Sequence, residues 1–522
     1  MITSNKQRAL TSGTAVVHVG NSQCKIAGDA PTDSLVQALS YQDSVTAEFL
    51  RSGAWGKLVD NELKELQDKM DGANSEKARS RAENQLRRAR RQANTVCLYD
   101  IHDKTFPTPL LMVALRIIRD SGISYSLEDE REKPGKTLKL EYHNNGHEQR
   151  DYQDRAVEVG MHCRCGTFAM ATNAGKTSVM LRLIQEKGYK TLILVQRQEL
   201  MFQIAEAIEE HLKYKPGLAG AGKFELKDIT VAIVNTAHMH SRELEDYGFN
   251  MVFVDEGHHA ASRIHYTVLK RVKPYAIYSM TGTDFRNSEN ENMILSAAFG
   301  GTFYRITNQF MVENGYSARI KAQILRCRQD IHPSAIWMRV YEVGILQSIK
   351  RSKLIVAAVK KHADSGKVVL VLTDQTGHGQ TIYDLLTSSG LDTRFMHGKR
   401  SRADRDAARL DFKGREFQVL VGTTLYDEGI DFPTLDVIVF AGGKRAKGKV
   451  LQRLGRGQRR GFHVDGSRKD ECVLIDVYDH GHAYLKRHSL KRLKVMHEAG
   501  VVLPQEYLKL LKKEGYLYDQ LQ

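Results

Sequence analysis

A lysine followed by a hydroxyl, Lys176-Thr177, closes the stretch ATNAGKT within ATNAGKTSV at residues 171–179. In such a stretch backbone N–H groups can wrap a phosphate, the ammonium can reach the outer groups of a polyphosphate, and the hydroxyl can hold Mg2+. A second stretch, GLAGAGKF at residues 217–224, has the fuller two-glycine spacing. It offers Phe224 where the hydroxyl belongs, and a strand pattern, DITVAIVN, follows it. A phosphate loop must join a strand to a helix N-terminus. The first stretch meets that condition and the second reads as a flexible turn. The predicted phosphate contacts are Thr172, Asn173, Ala174, Gly175, Lys176, Thr177 and Ser178, with Met170 where a leading glycine is usual.

A pair of acids extends this chemistry. MVFVDEGHH ends an apolar run with Asp255-Glu256. At the carboxyl end of a strand, Asp255 can join Thr177 in a metal shell, and Glu256 can take a proton from an attacking water. Two acids capping the next helix is the plainer reading of such a pair taken alone. Its place downstream of a phosphate loop favours the chemistry.

The elements that must position these groups follow from apolar patterning. TFAMAT, KTLILVQ, ITVAIVN, FNMVFVDE and YAIYSMTGT are short apolar runs between about 150 and 310. Amphipathic stretches such as KTSVMLRLIQEKG and QELMFQIAEAIEEHL separate several of them. The same alternation returns between about 345 and 480 in KVVLVLT, TRFMHG, FQVLVGTT, DVIVFAG and CVLIDVYD. This predicts an α/β fold with two tandem parallel-sheet domains, at 146–310 and, with a linker, 311–480. Residues 1–145 read as a smaller α+β domain, and 481–522 as a helical, basic tail. A charged insertion at 57–94 reads as two polar helices around Asp71-Gly72. Its basic run includes Arg87, Arg88, Arg90 and Arg91, which form either a solvated face or a contact to a nucleic-acid backbone.

Composition sets the outer bounds. The 522 residues suffice for three or four domains, and 77 Lys and Arg against 62 Asp and Glu leave a net charge of +15. A surplus of that size points to a polyanionic partner or to a basic but inert surface. The six cysteines lack zinc spacing and read as buried free thiols of a reducing cytoplasm. The first residues hold no apolar signal core, and no apolar run approaches the roughly 18 residues of a membrane span.

In order and spacing these motifs resemble those of the superfamily 2 helicases of the DExH type, with Asp255-Glu256-Gly257-His258 as the second motif. The shorter first motif of that family fits ATNAGKT. RDYQDRAV resembles its adenine-reading segment, with Arg150 and Gln153. LVQRQELMFQ resembles motif Ia, and the resemblance implies nucleic-acid contacts at Arg197, Gln203 and Thr236. TGT resembles motif III, which implies that Thr281 and Thr283, with His258, couple the nucleotide to the track; Gly282 departs from the usual alanine. GTTLYDEGIDFP resembles motif V, with Thr423 toward nucleic acid and Gly429 and Asp431 toward the nucleotide. QRLGRGQRR resembles motif VI, with Gln452, Arg456 and Arg459. Two arginines three apart on a helix share a face and can act as arginine fingers.

The resemblance implies two RecA-like motor domains, ATP with Mg2+, and a nucleic-acid strand held by its phosphates. A finer resemblance is to the UvsW-type branch-migration helicases of tailed phages. It rests on TNQFMVENGYSARIKAQIL, DVYDHGHAYLKRHSLKRLKVMHEAG and CLYDIHDKTFPTPLLMVALRIIRDSG. That implies ATP-dependent remodelling of branched DNA, such as forks and Holliday junctions, in phage replication, recombination and repair, in a host cytoplasm. An RNA helicase, the translocating subunit of a restriction or nuclease system, and a non-hydrolysing DNA-binding scaffold are the alternatives. No added nuclease cluster of Asp, Glu and Lys stands out in the sequence, and all six motor side chains a decayed scaffold would lose are present.

Overall fold

The computed structural model describes residues 13–42, 64–71, 82–86, 95–146, 149–257, 263–282, 289–333, 336–398, 400–423, 435–443, 450, 453–455, 457–458 and 469–517. The chain divides into two compact units, one of residues 1–168 and 177–304, the other of 169–176 and 305–522.

In the first unit β1 (Thr14–Val19), β2 (Gln23–Gly28) and β3 (Ser40–Gln42) come first, then β4 (Thr95–Cys97), β5 (Thr105–Pro107) and β6 (Ser124–Asp129). They form a four-stranded sheet in the order β5-β2-β1-β6 and a separate β3-β4 ladder. β1 runs antiparallel to β2 and parallel to β6. Alternation sends Val17, Val19, Cys24 and Ile26 inward, onto Leu35 of helix Thr32–Ala38 and Ala114 and Ile118 of helix Leu111–Asp120. Ala297, from helix Glu289–Phe299, belongs to the same core. Within the charged insertion the described residues 64–71 and 82–86 are helical.

The larger sheet contains β7 (Cys165–Met170), β8 (Thr191–Val195), β9 (Gly217–Gly220), β10 (Lys223–Phe224), β11 (Ile229–Ile233), β12 (Met251–Asp255), β13 (Ala276–Thr281) and β14 (Thr302–Ile306). Their order is β10-β9-β11-β8-β12-β13-β7-β14. From β9 through β13 in that order every pairing is parallel, and β10 runs antiparallel to β9. Strands covered on both faces need unbroken apolar runs, and β8 and β13 are buried at every position.

The glycine-rich stretch 217–224 is a hairpin, where a flexible turn was predicted. β9 pairs with β10 across Ala221 (φ 53°) and Gly222 (φ 79°), so the turn is confined to two residues with left-handed backbone. Gly217 is needed for space, because a Cβ there would lie 2.4 Å from the Glu225 carbonyl.

The second unit holds an all-parallel sheet of β15 (Arg319–Arg328), β16 (Val369–Leu372), β17 (Thr393–Met396), β18 (Val419–Gly422), β19 (Val437–Phe440) and β20 (Glu471–His480), in the order β15-β20-β19-β16-β18-β17. One face of Val369, Val371, Val419 and Val439 packs on Ile355, Val359 and Ile382. The opposite face, with Leu370, Leu420, Ile438 and Leu474, packs on Phe412, Leu490, Leu493 and Met496. Each such fully buried aliphatic side chain contributes about 1.5–3 kcal/mol. Residues 483–498 and 505–513 are helical, as predicted, and Leu490, Leu493, Met496, Tyr507 and Leu511 are part of this core.

The cysteines depart in part from the expectation of buried thiols. All six are free, but Cys97 is exposed and Cys163 and Cys165 are half-buried. Among the described residues no helix is long and apolar enough to cross a membrane.

Candidate functional site

β7 is buried from Gly166 to Met170, and the chain leaves its end through Ala171–Gly175 into helix Lys176–Lys187. Val179, Leu181, Leu183 and Ile184 bury one side of that helix and fix its start. Within the loop Asn173 (φ 69°) and Gly175 (φ 78°) have left-handed backbone, and Ala174 N–H donates to Ala171 O at 3.1 Å. Successive N–H groups in such a turn form an anion-binding concavity at a helix N-terminus. Lys176 Nζ donates to Met170 O at 3.4 Å, and Ser178 Oγ lies 2.9 Å from the Tyr142 hydroxyl. Thr172, Asn173, Gly175, Lys176, Thr177 and Ser178 are half-buried, and Ala174 is buried.

The loop is anchored within the second unit. Ala171 N–H donates to Ile306 O at 2.9 Å, and Asn173 Nδ2 donates to Gly455 O at 3.0 Å. Gly455 has to be glycine, since a Cβ there would lie 2.3 Å from Thr172 Cβ. The sequence held no signal for Asn173 reaching Gly455, because that pairing spans 282 positions.

Asp255 is the half-buried last residue of β12. Glu256 follows with φ 47°, an uncommon conformation for a residue with a Cβ. At Gly257 a Cβ would fall 2.0 Å from Ser279 Oγ, so the chain crosses directly over β13. Thr281, at the end of β13, is 1% exposed. One strand, β13, lies between β12 and β7 in the sheet. The phosphate loop, the acid pair and Thr281 therefore follow three neighbouring strands.

The other predicted residues fall into three groups. Arg150 precedes helix Asp151–His162 and donates to the Tyr152 hydroxyl at 2.8 Å; Gln153 is buried at 7% exposure. Arg197 and Thr236 are half-buried just past β8 and β11, adjacent parallel strands of the same sheet, and Gln203 is exposed on helix Gln198–Leu212. Thr423 follows β18 and is buried at 6% exposure, its N–H donating to Met396 O. His258, Thr283, Gly429, Asp431, Gln452, Arg456, Arg459, Arg87, Arg88, Arg90 and Arg91 lie outside the described residues.

Electrostatics in the second unit are set by burial. His378, 2% exposed, is pushed down to about 3 by desolvation and by the Arg351 guanidinium. In the first unit burial pushes Lys187, at the end of the phosphate-loop helix, down to about 8.

Comparison with known proteins agrees with this geometry. Residues 146–286 match the family model "Type III restriction enzyme, res subunit", and residues 350–461 match "Helicase conserved C-terminal domain". The DNA 3'-5' translocase XPB2 of Sulfurisphaera tokodaii is 24% identical over 64% of this chain and 82% of its own length. The ATP-dependent DNA helicase uvsW of phage T4 is 23% identical over 59% of this chain and 65% of its own. For several relatives the match spans only about half of the relative, 51% for IRC3 of Saccharomyces cerevisiae. The fold is similar to that of the ATP-dependent Type ISP restriction-modification enzyme LlaBIII bound to DNA, with a TM-score of 0.52 at 13% identity, over 78% of this chain and 34% of that one. Two family models match in the order the motifs demand, so the chain carries the paired domains of an ATP-hydrolysing superfamily 2 helicase and resembles the UvsW-type members of that group.

Proposed function

We propose that the chain is an ATP-driven DNA motor that remodels branched DNA, regressing forks and moving Holliday junctions. The observation that carries this reading is the phosphate loop and Asp255 at the ends of two strands of one sheet with β13 between them, together with an α+β body whose core takes in Ala297. Hydrolysis of bound ATP to ADP and phosphate would supply the free energy. The left-handed turn at Asn173 and Gly175 suits its phosphates, and Lys176 would neutralise their charge. Thr177 and Asp255 are hard oxygen donors of the kind Mg2+ takes. Glu256 would accept the proton of the attacking water, and Arg456 and Arg459 would counter charge growing on the outer phosphate. Gln153, with Arg150 beside it, would read the adenine edge through an amide that both donates and accepts.

Arg197, Gln203 and Thr236 would hold a strand by its phosphates, without reading sequence. The surplus of +15 supports a polyanionic track. We assign junction choice to residues 1–145.

The test is ATP turnover and strand exchange on forks, four-way junctions, overhang duplexes and structured RNA. Forks and junctions should stimulate turnover most, and Lys176→Ala should lower it by about a hundredfold. Greater stimulation by RNA would replace this reading with an RNA helicase. A second reading, the motor of a restriction system, draws on the res-subunit model and the LlaBIII likeness. DNA cleavage with ATP and Mg2+ would favour it. Among the described residues the group with metal-ligand geometry is His18, Glu128 and Glu130, an ion-paired group of a half-buried His18 on β1, Glu128 on β6 and Glu130 just past it.

A further inference from the structure

After β19 the chain bends at Gly442 in the turn Ala441-Gly442-Gly443. Buried charged side chains from three other elements converge on that turn. Arg351, on helix Ile349–Ala363, donates to Ala441 O and pairs with Asp479 at 2.9 Å, both side chains at most 1% exposed. Arg492, on helix Ala483–Glu498, donates to Gly443 O at 3.1 Å and to Val477 O at 2.8 Å, and pairs with Asp476 at 3.0 Å. Asp374, just past β16, presses against the turn: a Cβ on Gly442 would lie 2.2 Å from its Oδ2. The same carboxylate accepts from the Tyr341 hydroxyl at 3.3 Å and from Arg453 Nη2 at 2.9 Å.

A turn with two glycines has wide backbone freedom, and something must restrict it. Apolar packing restrains position but not direction, whereas a guanidinium fork fixes the carbonyls it binds. Buried ion pairs of this kind are weak contributors to stability compared with apolar replacements of the same shape. Three of them around one turn therefore point to geometry. Arg453 lies one residue after Gln452 and three before Arg456, and its neighbour Gly455 accepts from Asn173 of the phosphate loop.

We infer that Arg351, Arg492 and Asp374 are positioning residues that clamp the 441–443 turn and, through Arg453, set the placement of residues 453–455, which stand in the sequence motif of Gln452, Arg456 and Arg459, for ATP hydrolysis. The inference rests on the ATP-driven activity proposed above. It makes helix 483–498 a working part of the motor. The clamp acts on groups expected to bind the transition state more than the bound nucleotide, so its loss lowers kcat and leaves KM in place.

The test uses the full chain and DNA-stimulated ATP turnover. Arg492→Met with Asp476→Leu removes a charge pair together and leaves no lone buried ion. Gly442→Ala, at a position without left-handed backbone, displaces Asp374 from the other side. Each folded variant should show kcat at least tenfold lower, KM for ATP within threefold, and DNA affinity within twofold of the unaltered chain. A folded variant with kcat within twofold, or one changed only in KM, overturns the inference. Failure of both to fold overturns it too, because the clamp would then hold the domain together and not the arginine segment. Absence of ATP turnover in the unaltered chain is a separate result, which overturns the functional reading and the inference with it.

Discussion

Lys187 shows how a single residue at the far end of the phosphate-loop helix carries a measurable cost. Burial pushes its ammonium from 10.5 to about 8, while Nζ keeps a 3.2 Å bond to Met161 O. The shift is worth about 3 kcal/mol, against about 1 kcal/mol for the hydrogen bond. Below pH 8 the lysine is charged in both folded and unfolded chains, and the cost is full. Between about 8 and 10.5 the unfolded chain binds more protons, so stability rises with pH. Lys187→Met should therefore melt a few degrees higher than the unaltered chain at pH 7, with the gap closing by pH 10. A gap that is absent or widens with pH would refute this account. At the same scale Gly257→Ala should cut ATP turnover at least tenfold by driving a Cβ into Ser279 Oγ, and Ser279→Gly in the same chain should restore part of it. The sequence named the residues of the phosphate loop because their types are fixed by chemistry. It did not reveal the left-handed backbone of Glu256 or the Asp374–Arg453 pair, which depend on tertiary neighbours.

Elements separate the two glycine-lysine stretches more cleanly than their letters do. After Gly175 a helix begins at Lys176, so N–H groups point out of the loop; after Gly222 a strand begins at Lys223, so N–H groups enter a hairpin ladder. Lys223 is exposed at the sheet edge. Lys223→Ala should leave ATP turnover within twofold, where Lys176→Ala removes it; comparable losses in steady-state assays would mean that the wrong loop has been chosen. The strands were legible because β8, β13, β16 and β18 are apolar at almost every position, as strands covered on both faces require. The hairpin was not, since a four-residue strand of glycine, leucine and alanine and a two-residue strand carry no periodic signal.

For the whole molecule, the relation of residues 1–145 to the motor was the least legible from sequence. Their core takes in Ala297, Val96 packs with Met293 and Ile294, and Pro107 and Pro109 line a small cavity with Leu269, Pro274 and Ala298. These contacts join residues far apart in the chain, and the sequence placed a boundary where the structure has continuous packing. Removing residues 1–145 should lower the melting temperature by several degrees through newly exposed apolar surface, as well as abolish fork preference. Fork preference that survives in the shortened, folded protein would move substrate choice to the motor.

The central claim is ATP-driven remodelling of branched DNA, and its most direct measurement is movement of a synthetic four-way junction by the full chain with ATP and Mg2+. The account predicts conversion of the junction to duplex products that requires ATP hydrolysis and is lost in Lys176→Ala. A junction left unmoved by a protein that hydrolyses ATP on DNA, or moved equally well by Lys176→Ala, would contradict it.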